Sequence, residues 1–150
     1  MYRGYNVADL ISDAEAHSQF GYEQAVYLLL FGELPTQSEL ELFKKYLGEL
    51  RTLPPNFTED MIMKAPSADI MNKLARGVLA SYSYDKNPEE RSLSNILRQC
   101  IELISRFGTL TAYGYQAKRR YYDGKSMYIH NPLPELSTAE NSLRLIRNNK

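Results

Sequence analysis

The sequence is poor in cysteine, has no excess of charge and contains no long apolar run, and each shortage excludes a class of protein. Its one cysteine, Cys100, allows neither an internal disulfide nor a thiolate metal site. Because 18 basic residues balance 18 acidic ones, no overall field would attract nucleic acid or an anionic membrane. The longest strongly apolar run, residues 25–31, is much shorter than the roughly 20 residues of a membrane helix. We therefore expect a soluble, cytoplasmic protein.

Motifs for cofactors and metals are also missing. The glycines are too scattered for a phosphate-binding or dinucleotide-binding loop. His17 and His130 lie on different segments, and neither has a second ligand at helical spacing, which favours surface positions over a metal site. Cys100 lies on an apolar stripe with Leu97 and Ile104, where a buried, inert thiol is favoured over a nucleophile. The residues thus predict no catalytic, cofactor-binding or metal-binding site.

The composition that remains is that of a globular helical domain. With 43% hydrophobic and 24% charged residues, the chain is expected to fold as one domain over residues 1–150. A chain of this length buries roughly 68–70% of the surface that it exposes when unfolded. The predicted fold class is all-α, with six to seven helices and no significant sheet. The one strand-like piece, residues 126–130, is too short and too isolated to form a sheet.

Capping patterns place most of the helix ends. Gly32 is predicted to end a helix over residues 22–31. Thr36 with Glu39, and Ser137 with Glu140, have the spacing of a capping box, in which each side chain serves an unpaired backbone N–H of the first turn. The predicted helices cover residues 7–15, 22–31, 37–51, a short turn near 61–63, and residues 68–83, 89–122 and 138–146.

Two of these helices carry wide apolar faces. The first, from Ala68 to Ser83, is predicted to be capped by Ser67, and its apolar residues fill an arc of roughly 180° where a surface helix needs about 100°. Its predicted polar side includes Lys73. The second, from Glu89 to Tyr122, is apolar along one side, and Gly108 within it predicts a kink or a close helix contact. We expect each helix to pack against more than one neighbour.

Two clusters leave alternatives open. The basic triplet from Lys118 to Arg120 is flanked by tyrosines and suits either a nucleic-acid surface or the C-terminal end of a helix. At that end the negative pole of the helix macrodipole stabilises cations. The balanced charge of the chain favours the helix end. Met61, Met63 and Met71 suit either an adaptable binding groove or core packing, of which core packing is the more frequent at such spacing.

Four blocks of sequence, in this order, resemble the citrate synthase family and together span essentially the whole chain. They are residues 2–10 with Arg-Gly-Tyr, residues 22–36 with Leu-Phe-Gly-Glu-Leu-Pro-Thr, the Arg-Thr-Leu-Pro of residues 51–54 and the Ser-Thr-Ala-Glu-Asn of residues 137–141. Three sites depart from the family pattern. Asp69-Ile70-Met71 stands where many members have His-Pro-Met, Gly108 stands where they have Pro, and Ser142 stands where Phe follows Glu-Asn.

The resemblance implies an almost wholly helical homodimer that condenses acetyl-CoA with oxaloacetate to give citrate. In the family, one aspartate and two histidines act on the substrates and arginines hold the keto acid, and all of them belong to blocks that follow Ala-Glu-Asn. No catalytic or substrate-binding residue is therefore carried over to this chain. We expect residues 1–150 to be an N-terminal part of the large domain that is inactive by itself.

The same resemblance implies a role as scaffold and dimerisation segment. The homodimer is expected to form through the helices from Ala68 to Ser83 and from Glu89 to Tyr122. The same helices are also expected to pack against the missing C-terminal part of the same protein. The expected contact faces carry Ile70, Leu74 and Val78 on the first helix and Ile101 and Ile104 on the second. The alternative is a stand-alone helical interaction module without enzymatic activity.

Overall fold

The computed structural model describes residues 1–147, and nearly all of its regular structure is helical, which confirms the predicted all-α class. In the described range, the strand-type pairing consists of one isolated bridge between Tyr2 and Tyr5. Residues 126–130 form no strand. The six α-helices are α1 Val7–Ala16, α2 Tyr22–Phe31, α3 Gln37–Glu49, α4 Ile70–Ser81, α5 Leu93–Tyr121 and α6 Thr138–Ile146; a π-helical segment spans Thr58–Met63 and a 3₁₀ turn spans Tyr82–Tyr84.

Both predicted capping boxes form. The Thr36 N–H donates to Glu39 Oε2 at 2.8 Å, and the Glu39 N–H donates to Thr36 Oγ1 at 3.4 Å. At the start of α6, the Ser137 N–H donates to Glu140 Oε2 at 2.9 Å and the Glu140 N–H donates to Ser137 Oγ at 3.2 Å. Gly32 ends α2 at a φ of 89°, in the left-handed region that glycine adopts without strain.

Helices α4 and α5 begin later than predicted. Asp69, not Ser67, caps α4, because its side chain accepts the Asn72 N–H at 3.1 Å. Ser67 instead accepts the Asp69 N–H in the turn before the helix, at 3.2 Å. The N-terminal cap of α5 is Ser92, so residues 89–92 lie outside the helix.

Helix α5 is the centre of the fold. Its second half packs against α4, α6 and the π-helical segment around a core that includes Phe57, Leu110 and Leu145. Its first half meets α3 through a smaller core of Phe43, Leu47 and Ile101. No residue of α1 is buried. In the described part of the chain, no helix has both the length and the hydropathy needed to cross a membrane.

The inner face of α4 differs from the prediction at one position. Lys73, assigned to the polar side, is buried beside Leu74. Its Nζ donates to the carbonyl of Ala65 at 2.8 Å and to the carbonyl of Met61, so the ammonium ties α4 to the π-helical segment. Burial lowers the pKa of Lys73, and the positive charge of Arg76 lowers it further. Periodicity missed this position because a long side chain can bury its stem while its charge reaches backbone oxygens.

Gly108 marks a close helix contact. Helix α5 runs through it as one continuous helix of 29 residues, so the expected kink does not break the helix. A Cβ at position 108 would lie 3.2 Å from Ser142 Oγ on α6. Gly108 and Ser142, which both differ from the family pattern, therefore face each other across the α5–α6 contact.

Candidate functional site

The two histidines lie in different surroundings. His17 is exposed at the end of α1, as predicted, and its Nδ1 lies 2.8 Å from the Asp13 carbonyl oxygen. His130 is half-buried, and its Nε2 has no hydrogen-bond partner within residues 1–147, so it is not the surface residue that was predicted. The described residues contain no group of three His, Cys, Asp or Glu side chains that could hold a metal ion.

The basic triplet is partly engaged within the chain. Lys118 Nζ pairs with Asp123 Oδ1 at 3.0 Å, just beyond the end of α5. The guanidinium of Arg119 lies over the Tyr115 ring, 5.8 Å from its centroid. These contacts support the interpretation as a helix end. The three methionines differ in exposure: Met61 packs against the main core, Met63 is half-buried, and Met71 is exposed.

Cys100 is exposed, so the prediction of a buried thiol is wrong. It lies on a row of α5 in which residues recur at spacings of three and four, which places them on one helical face. The row consists of Leu93, Ile96, Cys100, Leu103 and Phe107, all of them exposed. The neighbouring face of α5, with Ile101 at its centre, is the one that packs inside the chain. The apolar side of this helix is therefore wide enough to contact two elements. In the described residues α3 covers one face, and the row with Cys100 is exposed.

Helix α4 and the turn after it also carry exposed apolar residues. Met71, Leu79 and Tyr82 are all exposed, and Tyr82 and Leu103 line the same groove of about 250 Å³ between α4 and α5. We call seven of these exposed residues the α4–α5 surface: Leu79, Tyr82, Leu93, Ile96, Cys100, Leu103 and Phe107. Met71 lies at the other end of α4, where Lys73 is next to Gly114 of α5. Isolated exposed apolar residues are ordinary, but rows of them on adjacent helices are typical of an interaction surface.

The faces predicted for dimerisation are not the exposed ones. Leu74 and Ile101 are buried in the chain's own cores, and Ile70, Val78 and Ile104 are half-buried. Periodicity identifies an apolar arc but does not tell which part of the arc other segments of the chain cover, so dimer contact through these faces stays a prediction.

An ion-pair network lies on α5 beside this surface. Arg98 Nη2 lies 2.7 Å from Asp85 Oδ1, and Arg98 Nη1 lies 2.9 Å from Glu102 Oε1. Arg106 Nη1 pairs with the other oxygen of Glu102 at 2.9 Å. Burial acts to raise the pKa of Asp85, but hydrogen bonds from the Asn87 N–H, Arg98 and Gln99, with the charge of Arg98, hold that pKa below its ordinary value. The network holds the turn at Asp85 against the first half of α5.

A second polar cluster joins distant parts of the chain. We call Glu23, Arg51, Thr138 and Asn141 the polar junction. Arg51 Nη1 donates to the carbonyls of Leu133 at 2.8 Å and Leu136 at 2.6 Å. Glu23 Oε1 accepts the Thr138 N–H at 2.7 Å, and Asn141 Oδ1 accepts the Leu133 N–H at 3.0 Å. Burial lowers the pKa of Arg51, while the negative charges of Glu23 and Glu135 act in the opposite direction.

The polar junction brings together three of the four blocks quoted above. Glu23 belongs to the block at residues 22–36, Arg51 begins the block at residues 51–54, and Thr138 and Asn141 belong to the block at residues 137–141. The remaining block is tied in by Arg3, whose Nη2 donates to the Leu29 carbonyl at 3.2 Å. Through these contacts the side chains of the blocks bind the backbone of distant segments and hold those segments together.

Comparison with known proteins gives one consistent family. The family model described as citrate synthase, C-terminal domain, matches residues 1–150. The chain is 33% identical over 117 residues to the citrate synthase of Saccharolobus solfataricus, covering 78% of this chain and 29% of that relative. It is 30% identical over 144 residues to the citrate/2-methylcitrate synthase of Bacillus subtilis, covering 96% of this chain and 36% of the relative.

A solved structure gives the same result. The crystal structure of citrate synthase from Pyrobaculum aerophilum superposes with a TM-score of 0.79 at 26% identity, covering 99% of this chain and 36% of that one. The chain therefore spans about a third of the length of the relatives that it matches.

Proposed function

Since the chain belongs to the citrate synthase family, we propose that it supplies helical frame and subunit-contact surface to an enzyme that condenses acetyl-CoA with oxaloacetate. By itself the chain of residues 1–150 performs no condensation. Proton transfer between an acid or base and its substrate requires hydrogen-bond distance. The family's acid, base and carboxylate-binding groups belong to blocks for which this chain has no counterpart.

The polar junction is the observation that carries this proposal. Its members are residues of the family blocks, yet their polar atoms bind backbone N–H and carbonyl groups of α6 and the segment before it. Buried polar groups engaged in this way fix the relative positions of elements. These blocks hold a frame on which catalytic residues from another part of a longer chain would be placed.

The α4–α5 surface supports the second part of the proposal, which is self-association. The surface is apolar, lies on two helices that pack against each other, and has an ion-pair network beside it. An apolar centre with charged neighbours is the usual anatomy of a protein interface. We propose that a second copy of the chain covers it. This location differs from the faces of Leu74 and Ile101 that the sequence predicted.

The test of the catalytic part is thiol release from acetyl-CoA in the presence of oxaloacetate. Because Cys100 is exposed and would itself react with the thiol reagent, the assay uses a Cys100→Ala chain. The expected result is no release above the blank, with the Bacillus subtilis relative assayed beside it as the positive control. Turnover by the chain alone would contradict the proposal. A reading frame that continues past Lys150 into a histidine-containing block would support it.

A further inference from the structure

Helix α1 is weakly anchored to the rest of the chain. Of the six α-helices in the described residues, it alone has no buried residue, and its apolar residues Val7, Leu10 and Ala14 are only half-buried. Within residues 1–147, no hydrogen bond or ion pair joins α1 to another helix. A helix of ten residues is marginal in water without tertiary packing, so α1 depends on a small apolar contact.

The contact between α1 and the start of α2 is incompletely filled. A space of about 290 Å³ lies there, and its lining includes Ile11 and Phe20, which are 54% and 56% exposed. Apolar side chains beside such a space have fewer van der Waals contacts than side chains in a filled core. The backbone approaches α1 closely at Gly21, where a Cβ would lie 3.3 Å from the Cβ of Ala14. The helix therefore lies on α2 with little packing beneath it.

Helix α2, which follows directly, is firmly held. Leu28 is completely buried, and Glu23 is 1% exposed and accepts the Thr138 N–H at 2.7 Å. The anchoring therefore changes abruptly between residues 17 and 22. Within this stretch Ser18 has a φ of 51°, in the left-handed region that residues other than glycine rarely adopt. A boundary between a weakly held and a firmly held segment thus lies at this turn.

One side chain ties the segment before α1 to α2. The backbones of Tyr2 and Tyr5 exchange two hydrogen bonds of 2.9 Å across a tight turn whose two central residues have positive φ. From this turn, Arg3 Nε and Nη2 donate to the Leu29 carbonyl at 3.3 and 3.2 Å. That carbonyl lies in the last turn of α2, where carbonyls lack helical partners and the macrodipole favours a cation. In the described part of the chain, no other side chain of residues 1–17 hydrogen-bonds outside that range.

We propose that residues 2–17 form a flap that opens from α2 as one unit, about a hinge at residues 18–21, and that Arg3 is the latch that holds it closed. Opening removes the packing of α1, so the helix unfolds in the same event and the side of α2 at Ala25 becomes exposed. Segments with few buried apolar contacts open locally while the rest of a fold stays intact. The flap includes no residue of the polar junction or of the α4–α5 surface, so it is independent of the proposed function.

The test is amide hydrogen exchange of the chain of residues 1–150, followed by NMR at urea concentrations below the unfolding transition. The amides of α1 are expected to be at least about tenfold less protected than the slowest amides of α2 and α5, with little dependence on urea. The Tyr5 N–H, which bonds to the Tyr2 carbonyl, should exchange with the same protection as α1 because it belongs to the same unit. Protection of α1 equal to that of α5 would overturn the proposal. A Tyr5 N–H that stays protected while α1 exchanges would overturn it as well, since the helix would then fray alone.

The latch is tested by Arg3→Ala, which removes both hydrogen bonds to the Leu29 carbonyl. Protection of the α1 amides is expected to fall about three- to tenfold, while protection of α5 stays the same, because the change acts only on the closed flap. Arg120→Ala makes the same change at an exposed position near the end of α5, and this matched control should leave α1 unchanged. Equal protection of α1 in Arg3→Ala and the parent would contradict the proposal.

The hinge offers a test in the opposite direction. Ser18→Gly removes the strain of a left-handed residue just after α1, where glycine is the preferred end of a helix. Protection of the α1 amides is expected to rise about two- to fivefold, again without a change in α5. If Ser18→Gly altered the protection of α1 and α5 by the same factor, the turn would act on the stability of the whole fold, and the proposed hinge would be refuted.

Discussion

The two halves of α5 differ in how completely the rest of the chain covers them: the first half is rich in Leu and Ile, and the second half consists mainly of Gly, Ala, Thr and Tyr. In residues 108–117 nearly every side chain is covered by α4, α6 and the π-helical segment, and Leu110 is only 4% exposed. In residues 93–107 one apolar face packs on α3 while the next face, with Leu93 at 83% exposure, is open. The comparison shows that an apolar residue on a helix indicates that another element packs against it, but it does not identify that element. Other elements of this chain cover the second half of α5. In the first half, α3 covers one apolar face and the next apolar face is exposed.

The largest expected difference between the halves is in the free energy of unfolding. Leu110→Ala should lower it by about 2–5 kcal/mol, because the change leaves a cavity between α4 and α5. Leu93→Ala should change it by no more than about 0.5 kcal/mol, because that side chain contacts little. Both changes replace Leu by Ala in one helix, so their helix propensities match. Denaturant unfolding measures both values, and equal losses would mean that the two halves do not differ in packing.

The second-largest expected difference between the two halves of α5 is in their effect on self-association. Leu103→Asp places a charge on the α4–α5 surface, where a second copy is proposed to lie, and should weaken dimerisation at least tenfold, or about 1.4 kcal/mol, without unfolding the chain. Leu74→Asp places the charge in the core and should unfold it. Sedimentation equilibrium measures the first effect and circular dichroism the second.

The control for the surface variant is Ser94→Asp, an exposed change on α5 outside the apolar row. It should leave association unchanged, since it adds the same charge without touching the surface. A parent chain that stays monomeric over a wide concentration range would remove the basis of the proposed interface.

Local features of the fold were predictable from the sequence, and long-range ones were not. The bounds of α2 and both capping boxes depend on residues within a few positions of each other, and they are confirmed. The polar junction escaped prediction because its partners are far apart in sequence: 85 residues separate Arg51 from Leu136, and 115 separate Glu23 from Thr138. Its members belonged to blocks recognised by resemblance, but nothing in their spacing indicated that they meet.

The errors at Cys100 and Lys73 have a common cause. Both predictions assigned burial from position on a helical wheel, which ranks faces by polarity but does not know where the neighbouring helices lie. On α4 the inner face is centred on Lys73 and Gly77, and on α5 it runs through Ile101, so each apolar arc extends past the edge that is covered. A helix with a narrow arc would have been oriented correctly by the same reasoning.

A smaller effect is expected at the start of α6, one of the elements that cover the second half of α5. Side-chain and backbone hydrogen bonds from Ser137 lower the pKa of Glu140 below its ordinary value of 4.5. A carboxyl whose pKa is lower in the folded state stabilises the fold fully above its unfolded value, and the contribution disappears as the pH falls through the folded value. Glu140→Gln should therefore be less stable than the parent at neutral pH, and the two should converge as the pH falls below 4.5 through the lowered pKa.

Unfolding free energies measured across that pH range check this expectation. Glu33→Gln, an exposed substitution outside any helix cap, serves as the control and should show no such convergence. A gap between Glu140→Gln and the parent that stayed constant down to the most acidic conditions would mean that the cap acts without its charge.

The smallest expected effect on stability, and the most direct probe of the open half of α5, is at Cys100. Because the thiol is exposed, Cys100→Ala should change the free energy of unfolding by less than about 0.5 kcal/mol. In the native parent chain at low concentration the thiol should react with dithionitrobenzoate at a rate close to that in denaturant. As the concentration rises the rate should fall, because a second copy that covers Leu103 would cover its neighbour Cys100 on the same row. Leu103→Asp should abolish this protection, and a rate that is slow at every concentration would show instead that the first half of α5 is covered within the chain itself.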